Sequence, residues 1–321
     1  MAKTAFNRTG ALSRVTVAAL TAALVATGTS AVAADNPGTT KNTSSTAATA
    51  ASEIAKSIKK QQQKKGVSGR STAKSGAAAE FRVLQGLSGG DLYGYIPNGS
   101  GGYEAREFWD FDLQWLKNAV QADNDGDGLA DDVWSWDTSG GMGYSSGENP
   151  EGVYIGGGWN TFNKVMSPGN LGGAAGADLL ARDGSGNLWL YLGYGNGKVA
   201  PKAKVGSGWN IYNHIAGVGD LTDDGKADIV TVDKSGVLWV HPGSGDYKKP
   251  FNARVKVGGG WNAFNYLVGV GDLDMDGRSD LIARDKAGAL FRYSGTGTAS
   301  KPFKPMAKIG TSGWNTYRLM F

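Results

Sequence analysis

The chain repeats a Gly-Trp-Asn signature at intervals of about fifty residues. The Trp-Asn pairs stand at 159–160, 209–210, 261–262 and 314–315, and they are separated by 50, 52 and 53 residues. A weaker copy, Trp109-Asp110, lies 50 residues before the first pair. A period of this length is typical of supersecondary units that stack or close into a ring. The repeat therefore constrains the fold more strongly than any local pattern.

The repeat from residue 261 to residue 313 indicates what each unit contains. It runs from the Trp-Asn pair through an acidic loop at 272–280 to a short apolar segment at 281–285. A turn with glycine follows, and residues 289–293 then alternate like a half-buried strand. Each unit therefore predicts about four short strands separated by Gly-rich turns, which is the blade of a β-propeller.

The two ends of the repeat region complement each other. Residues 81–84 and 90–95 match the middle segments of the unit, whereas the chain ends just after the last Trp-Asn pair. The first fragment supplies the strands that the last one lacks, and five Trp positions give five blades. We predict an all-β fold, a five-bladed β-propeller of ~50-residue four-stranded repeats, closed by pairing of the N- and C-terminal strands. An open solenoid, the competing architecture, would carry atypical polar caps at both ends instead.

Residues 1–34 have the pattern of a secretory signal peptide. Basic residues precede an apolar stretch, and a small-residue cleavage pattern, Ala-Val-Ala, follows at 31–33. The apolar run is too short for a transmembrane helix. We predict a secreted, extracellular protein whose signal peptide is cleaved near Ala33 and Ala34, with no membrane insertion.

Residues 35–80 form a basic arm rich in Ala, Ser and Lys, for which we predict disorder. The segment has almost no large apolar side chains, so it cannot bury enough surface to offset the entropy of ordering. It carries eight Lys or Arg and three Asp or Glu. Two roles stay open, a solvated linker and a docking arm for an anionic cell wall or a partner protein. The folded body is assigned to residues 81–321.

The charge of the body differs from that of the whole chain. The full sequence has a net charge of +4, but residues 81–321 contain 22 basic and 26 acidic residues. Nucleic-acid binding by the body is disfavoured because phosphate contacts need a clustered positive face. The chain has no cysteine, which excludes thiol catalysis and cysteine-based zinc sites.

An acidic motif, Asp-x-Asp-x-Asp-Gly-x-x-Asp, is the sharpest chemical signal in the sequence. Carboxylates at positions 1, 3 and 5 surround one point of a tight loop, glycine at position 6 permits the turn, and position 9 closes the site. Such oxygen ligands suit Ca²⁺ better than a transition metal. The alternative is a polar turn whose Asp side chains cap their own backbone. Three crowded carboxylates, however, repel one another without a cation.

Three copies of the motif differ in completeness, and we predict two to three structural Ca²⁺ sites that brace adjacent blades. The complete copy consists of Asp272, Asp274, Asp276 and Asp280. The first copy consists of Asp123, Asp125 and Asp127, closed by Asp131 on loop spacing or by Asp132 on strand alignment. A weaker site consists of Asp220, Thr222, Asp224 and Asp228, with Asp223 as an alternative ligand. Residues 170–178 retain little except Asp178, and we predict that this loop holds no metal.

With these motifs the chain resembles the FG-GAP/VCBS repeat family, in the form found in secreted actinobacterial proteins, where Gly-x-Leu-Trp and Gly-Trp-Asn follow the acidic loop. The resemblance covers residues 81–321 and implies β-propeller blades that carry Ca²⁺ in Asp-x-Asp-x-Asp-Gly loops. The blade count and unit length are also similar to those of tachylectin-like propeller lectins. The family includes adhesins, lectins and modules attached to enzymes, so the resemblance implies fold and metal more specifically than function.

We find no catalytic constellation in the sequence, and we expect a protein without enzymatic activity. His241 stands where sister units have Tyr191 and Tyr293, and His214 lies just after the start of a predicted strand. The sequence contains neither a nucleophile elbow nor a phosphate-binding glycine loop between a strand and a helix.

The Gly-Trp-Asn signature offers one aromatic and one amide side chain per unit, a combination that binds sugars. The candidate ligand-binding residues are Trp159, Asn160, Trp209, Asn210, Trp261, Asn262, Trp314 and Asn315. The other interpretation is that each indole packs between sheets.

The favoured function is a secreted, Ca²⁺-braced, non-catalytic module that binds glycans of a cell wall or cell surface at several weak, equivalent sites. The alternative is a protein-interaction adaptor in a secreted multi-protein assembly, such as an antibacterial toxin particle. That adaptor would dock through residues 35–80. The sequence does not specify an oligomeric state.

Overall fold

Five four-stranded antiparallel sheets make up the described part of the chain, arranged as blades around a ring. The computed structural model describes residues 79–321 except 148, 150 and 151. The predicted signal peptide and nearly all of the predicted arm lie outside the described residues. The predicted all-β, five-bladed propeller is confirmed. Within the described ranges, no helix is long and apolar enough to cross a membrane.

The blades are numbered I to V around the ring. Blade I contains β1 (Leu84–Ser88), β2 (Asp91–Tyr95), β3 (Glu107–Asp110) and the terminal β20 (Leu319–Met320). Blade II contains β4 (Leu116–Ala122), β5 (Asp132–Asp137), β6 (Met142–Ser145) and β7 (Val153–Gly156). Blade III contains β8 (Phe162–Gly169), β9 (Asp178–Asp183), β10 (Leu188–Tyr191) and β11 (Ala203–Gly206). Blade IV contains β12 (Tyr212–Gly219), β13 (Asp228–Asp233), β14 (Leu238–His241) and β15 (Val255–Gly258). Blade V contains β16 (Phe264–Gly271), β17 (Asp280–Asp285), β18 (Leu290–Tyr293) and β19 (Ala307–Gly310).

Blade I closes the ring because the two ends of the body pair with each other. β20 lies antiparallel to β1, with Gly86 opposite Met320. The backbones of Gln85 and Phe321 exchange two further hydrogen bonds of 2.8 and 3.0 Å. The predicted pairing of the terminal strands is confirmed, and the innermost strand of blade I comes from the C-terminal end of the chain.

The segment before blade I lies differently from its sequence alignment. Residues 81–84 match a middle strand of the unit by sequence, but β1 begins only at the last of them. Phe81 instead forms β-bridges to Leu129 of blade II and Gly271 of blade V. Phe81 and Val83 give this segment the alternating apolar pattern of a strand, because both side chains are buried. The segment therefore ties together the acidic loops on either side of blade I.

The hydrophobic core of the described chain lies between the blades. Five clusters of buried side chains each draw mainly on two neighbouring blades. The cluster between blades II and III, for example, contains Trp134 and Trp136 from one blade and Trp159 and Phe162 from the next. Burial of large apolar side chains contributes about 1.5–3 kcal/mol each. All five interfaces therefore contribute to holding the ring closed.

The innermost strands surround a narrow axial channel. Its cavity of about 60 Å³ is small beside ligand pockets of about 300–1,000 Å³. Gln121 crosses one part of it and donates its amide to the carbonyl oxygens of Val83 (2.8 Å) and Phe321 (3.1 Å). The loops and outer surfaces, rather than this channel, offer room for a ligand.

Candidate functional site

The acidic motifs occupy equivalent loops in successive blades. Each loop joins the innermost strand of a blade to its second strand, so all of them lie at the same end of the ring, here called the acidic face. In blades II, IV and V a glycine at position 6 allows the loop to turn back, whereas blade III has Ala175 there. Gly277, for example, has a φ of 90° with open space around its Cβ position, so conformation rather than crowding requires glycine there.

Two of the loops bring three carboxylates together. In blade V, one oxygen each of Asp272, Asp274 and Asp276 lie within 4.8 Å of one another. In blade II, Asp123, Asp125 and Asp127 do the same. Oxygens bound to one Ca²⁺ at about 2.3–2.6 Å lie at most about 5 Å apart. The donor sets of both loops therefore fit Ca²⁺ in chemistry and in spacing.

The first carboxylate of each loop also caps the loop's backbone. Asp272 accepts hydrogen bonds from the amides of Asp276 (2.9 Å) and Gly277 (2.8 Å). Asp123 accepts from Gly126 (2.7 Å) and Gly128 (2.9 Å). Capping and metal binding are compatible, because a carboxylate has about four lone-pair directions.

Burial makes these carboxylates costly to ionise. It raises the pKa of Asp272 to about 6, and nearby Asp276 and Asp274 act in the same direction. Burial also raises the pKa of Asp123 to about 7, with Glu80 adding to the effect. In blade V, Lys304 offsets part of the charge through an ion pair of 2.6 Å with Asp276. A divalent cation would stabilise the ionised loops further.

The ninth position of the motif has a structural contact of its own. The buried carboxylate of Asp280 accepts hydrogen bonds from the amides of Leu273 (3.1 Å) and Gly295 (2.9 Å). Asp228 and Asp178 make the same pair of bonds in their blades, with donor–acceptor distances of 2.7–2.9 Å. These three residues, here called the anchor aspartates, tie the loop to the turn after the third strand. Asp280 and Asp228 stay predicted closing ligands, but this shared role explains their spacing without a metal.

In blade II, Asp132 rather than Asp131 has the structural position of the anchor aspartates. Asp132 begins β5 and accepts a hydrogen bond from the Asn124 amide (2.9 Å), so it occupies the anchor position. Asp131 lies one residue earlier, and burial together with the charge of Asp132 raises its pKa to about 7. Asp131 is therefore an additional acid beside the loop rather than an anchor.

The other two loops lack a group of three carboxylates. In blade IV, Asp220 caps Thr222 (2.9 Å), while Asp224 lies 3.5 Å from Lys226. In blade III, the Asn170 amide donates to its own loop at Ala174 (2.9 Å). The loop of blade III contains no acid before its anchor aspartate.

The tryptophans of the Gly-Trp-Asn signature lie between blades. Trp159 is 5% exposed, Trp261 and Trp314 are each 8% exposed, and Trp209 is half-buried. Each indole packs against a ring from the third strand of its blade, with centroid distances of 4.8 Å for Trp159–Tyr191, 5.1 Å for Trp209–His241, 4.7 Å for Trp261–Tyr293 and 4.5 Å for Trp314–Tyr95. The indole faces are thus used for packing, and this burial favours the interpretation of the four tryptophans as inter-blade contacts.

The asparagines of the signature are exposed but also serve the connection between blades. Asn160, Asn210, Asn262 and Asn315 each lie against the glycine in the turn between the second and third strands of the preceding blade. The Asn315 amide donates to the Lys286 carbonyl in that turn (3.0 Å). The backbone amide of Trp209 donates to Gly186 (2.9 Å) in the same way. The signature is therefore a joint that carries the chain from the outer strand of one blade to the inner strand of the next.

Sequence reasoning missed a set of arginines that hold these joints. Arg182 donates to the carbonyls of Trp209 (3.1 Å) and Tyr212 (2.8 Å), and Arg284 makes the equivalent contacts in blade V. Arg318, just before the innermost strand of blade I, donates instead to the joint before blade II. The sequence pattern that could have identified Arg182 and Arg284 is the Ala-Arg-Asp triplet at the ends of β9 and β17.

The two histidines have structural surroundings. His241 Nε2 lies 3.0 Å from Thr231 Oγ1, and burial lowers its pKa to about 4. His214 lies on β12, where burial and nearby Lys164 lower its pKa. Burial also lowers the pKa of Lys164 to about 8, with Arg182 acting in the same direction.

Comparisons with known proteins agree with the repeat. Residues 176–231 and 220–283 match the FG-GAP-like repeat family. No curated protein is significantly similar in sequence. Among solved structures, regucalcin from Agrobacterium tumefaciens, described as a calcium-binding protein, is similar at 11% identity and a TM-score of 0.38, covering 75% of this chain and 83% of that one. Human WBSCR16 is similar at 10% identity and a TM-score of 0.34, with coverages of 70% and 65%. Prp20p from Saccharomyces cerevisiae is similar at 10% identity and a TM-score of 0.33, with coverages of 69% and 59%. The chain thus spans less than two thirds of the human and yeast proteins.

Proposed function

We propose that this chain, an FG-GAP-repeat β-propeller, is a secreted and non-catalytic binding module that is braced by Ca²⁺ and binds glycans. The observation that carries the proposal is the pair of three-carboxylate loops in blades II and V. Asp123, Asp125 and Asp127 would hold one ion, and Asp272, Asp274 and Asp276 would hold another. Asp220 and Asp224, with the Thr222 hydroxyl, would form a third and weaker site.

Bound Ca²⁺ would act on the closure of the ring. The segment with Phe81 passes between the loops of blades II and V, and the Glu80 carbonyl accepts a hydrogen bond from the Asp272 amide (2.8 Å). An ion in each loop would neutralise its carboxylates and fix the backbone that holds this segment. The metal is therefore assigned a structural role, in which it strengthens the two interfaces of blade I.

The glycan part of the proposal rests on repetition. The same joint occurs four times around the ring, and each copy presents an exposed Asn amide at 160, 210, 262 or 315. Half-buried rings of the third strands, at Trp189, Trp239 and Phe291, add aromatic surface on the blade flanks. Weak contacts of this kind at equivalent places bind a repeating ligand through avidity. The structural roles of the two histidines support a module without catalysis.

A glycan array probed with the full chain tests this proposal. The array is read once with Ca²⁺ and once with EDTA. We expect binding to one class of glycan that weakens on chelation, because loss of the metal loosens the ring that fixes the spacing of the contacts. Absence of binding to every glycan would contradict the proposal.

The adaptor function is the second candidate, and the position of the described N-terminus favours it. Glu80 and Phe81 lie at the acidic face, and in sequence they are joined directly to the predicted basic arm. Co-purification of a secreted protein with the full chain, lost on deletion of residues 35–78, would support docking through the arm. Equal recovery with and without those residues would contradict it.

A further inference from the structure

We propose that the outer edges of blades III, IV and V form a binding strip for an anionic polysaccharide. The inference rests on the proposed function, because it specifies the class of glycan and the surface that binds it. The strip, here called the basic rim, consists of the segments after the third strands, residues 192–206, 242–258 and 294–310.

The basic rim concentrates positive charge on a body that is acidic overall. Its three segments contain ten Lys or Arg and one Asp, a net charge of +9. Residues 81–321 as a whole contain 22 basic and 26 acidic residues, so the remainder of the body has a net charge of −13. A local excess of this size attracts polyanions even when the protein as a whole does not.

One lysine stands at the same place in each of the three blades. Lys204 lies opposite Trp189 in the strand register, Lys256 opposite Trp239, and Lys308 opposite Phe291. All three lysines are exposed. The rim therefore presents a cation at a repeated position on three consecutive blades, which suits a ligand with repeated negative charges.

Aromatic rings hold several of the cations in place. Lys202 Nζ lies 4.5 Å from the Trp189 ring centre, and the Arg254 guanidinium lies 4.0 Å from that of Trp239. Lys308 Nζ lies 5.6 Å from the Phe291 ring centre. Cation–π contacts restrict otherwise flexible side chains, so less entropy is lost when an anion binds them. Lys304, in contrast, is paired with Asp276 and faces the acidic loop.

Blades I and II show that edge protection alone does not explain the lysines. At the same register position they carry Phe108, which is 56% exposed, and Tyr154, which is 53% exposed. Their outer segments, residues 96–110 and 146–156, contain one basic and five acidic residues by sequence. Charge of either sign protects a strand edge from pairing. Only the outer segments of blades III to V have a net positive charge, and net positive charge is what an anionic ligand selects.

The distribution of charge favours a thin polysaccharide over double-stranded nucleic acid. The duplex is broad and carries one charge per about 1.7 Å. A duplex on the rim would also approach the acidic remainder of the body. A flexible chain with carboxylate or phosphodiester groups follows the rim and avoids that repulsion. Carboxylates and phosphodiesters both pair with Lys and Arg, so the polysaccharide class includes both chemistries.

Binding of the full chain to immobilised polymers tests the basic rim. The probes are polygalacturonate, poly(glycerol phosphate), neutral dextran and double-stranded DNA. We expect binding to at least one of the two anionic polymers, and the carboxylate and phosphate arms identify which chemistry is bound. The variant Lys204→Gln, Lys256→Gln, Lys308→Gln should bind that polymer at least ten-fold more weakly. For this variant the slope of log affinity against log salt concentration should be shallower by about 2. Each lost contact with a single-stranded polyanion removes about 0.7 from that slope.

A second triple variant with the same change in net charge provides the control. Lys117→Gln, Lys234→Gln, Lys286→Gln alters exposed lysines outside the rim, and it should bind like the wild type.

The inference is overturned if the rim variant binds like the wild type, if both variants lose binding equally, or if DNA binds more tightly than either polysaccharide. Binding to neutral glycans that is indifferent to the rim variant overturns the inference and leaves the proposed function standing. Failure of every glycan, neutral or anionic, overturns both. Equal melting temperatures of the variants establish that the fold is unchanged.

Discussion

The loops of blades III and V have the same connection and very different chemistry. Both join an innermost strand to a second strand, and both end on a fully buried anchor aspartate, Asp178 or Asp280. Both anchors accept hydrogen bonds from the loop, one for Asp178 and two for Asp280, and each accepts one more from the turn after the third strand. Blade V adds three clustered carboxylates, and blade III adds none.

The difference separates what the fold requires from what a ligand requires. The anchor aspartate is present in both loops, so it belongs to the blade. The carboxylates at positions 1, 3 and 5 are absent from blade III, which nevertheless forms the same four-stranded sheet. Those three carboxylates are therefore additional to the fold. A bound cation would relieve the repulsion that remains beside their ion pairs with Arg292 (3.6 Å) and Lys304 (2.6 Å).

The anchors give the largest expected effect. Asp178→Ala removes two hydrogen bonds to a buried carboxylate and leaves the amides of Leu171 and Gly193 without acceptors. We expect a loss of about 3–5 kcal/mol in the free energy of unfolding, measured by urea denaturation. Asp280→Ala should cost a similar amount with EDTA present. Asp125→Ala, in an exposed part of a loop, is the control and should cost less than about 1 kcal/mol under the same conditions. An anchor variant as stable as this control would contradict the assignment.

A pH titration extends the comparison to the third strands, where blade IV has His241 in place of tyrosine. The folded pKa of His241 is lowered to about 4 by burial, whereas the unfolded value is about 6.5. The folded state thus binds fewer protons between these values, and stability is lost as the pH falls from 6.5 towards 4. The loss approaches about 3 kcal/mol below pH 4. Replacing His241 by Tyr together with Thr231→Ala, which copies blades III and V, should remove this part of the pH dependence. If the difference in the free energy of unfolding between wild type and variant stays the same from pH 7 to pH 4, this role of His241 is contradicted.

Calcium should stabilise the ring through the loops of blades II and V. At a concentration one hundred times its Kd, an ion at one site adds about 2.7 kcal/mol. For a body of this size that corresponds to a rise of about 5–10 °C in Tm. Differential scanning calorimetry with Ca²⁺ and with EDTA measures the shift. Replacing Asp272, Asp274 and Asp276 by Asn should reduce the shift without abolishing it. A Tm that is insensitive to chelation would count against structural Ca²⁺.

Blade III should resist conversion into a metal loop. Gly172 stands at position 3, where blade V has Asp274, and its φ is 98°. A Cβ there would lie 2.4 Å from the Gly245 carbonyl oxygen of blade IV. Gly172→Asp should therefore destabilise the protein by about 1–3 kcal/mol and create no Ca²⁺ site, as measured by thermal unfolding and calcium titration. The control Asn170→Asp, at position 1, should be tolerated. A new calcium site in the Gly172 variant would show that the loops differ in sequence only.

The sequence predicts the fold well because a repeat samples the same pattern several times. The spacing of the Trp-Asn pairs predicts five blades, and the incomplete units at 81–95 and 314–317 predict the closure. The register of the first strand could not be predicted in this way, since Phe81 and Val83 alternate like a strand while bridging two loops.

The candidate site was predicted less completely. An anchor aspartate and a metal ligand have the same residue type at the same spacing, so position 9 could not be assigned before its hydrogen bonds were known. The orientation of Trp159 and its equivalents depends on partner rings that are distant in sequence, such as Tyr191. The basic rim was not predicted because acidic residues elsewhere cancel its charge in the composition of residues 81–321. Counting charged residues separately for each segment, rather than for the whole domain, would have revealed it.

Calorimetric titration of the full chain with Ca²⁺ tests the central claim most directly. The account predicts binding that is reduced by one equivalent when Asp272, Asp274 and Asp276 are replaced by Asn, and by another when Asp123, Asp125 and Asp127 are replaced. The loop of blade III should contribute nothing, so Asn170→Ala should leave the titration unchanged. Absence of binding, or binding that neither set of replacements alters, would contradict a calcium-braced ring.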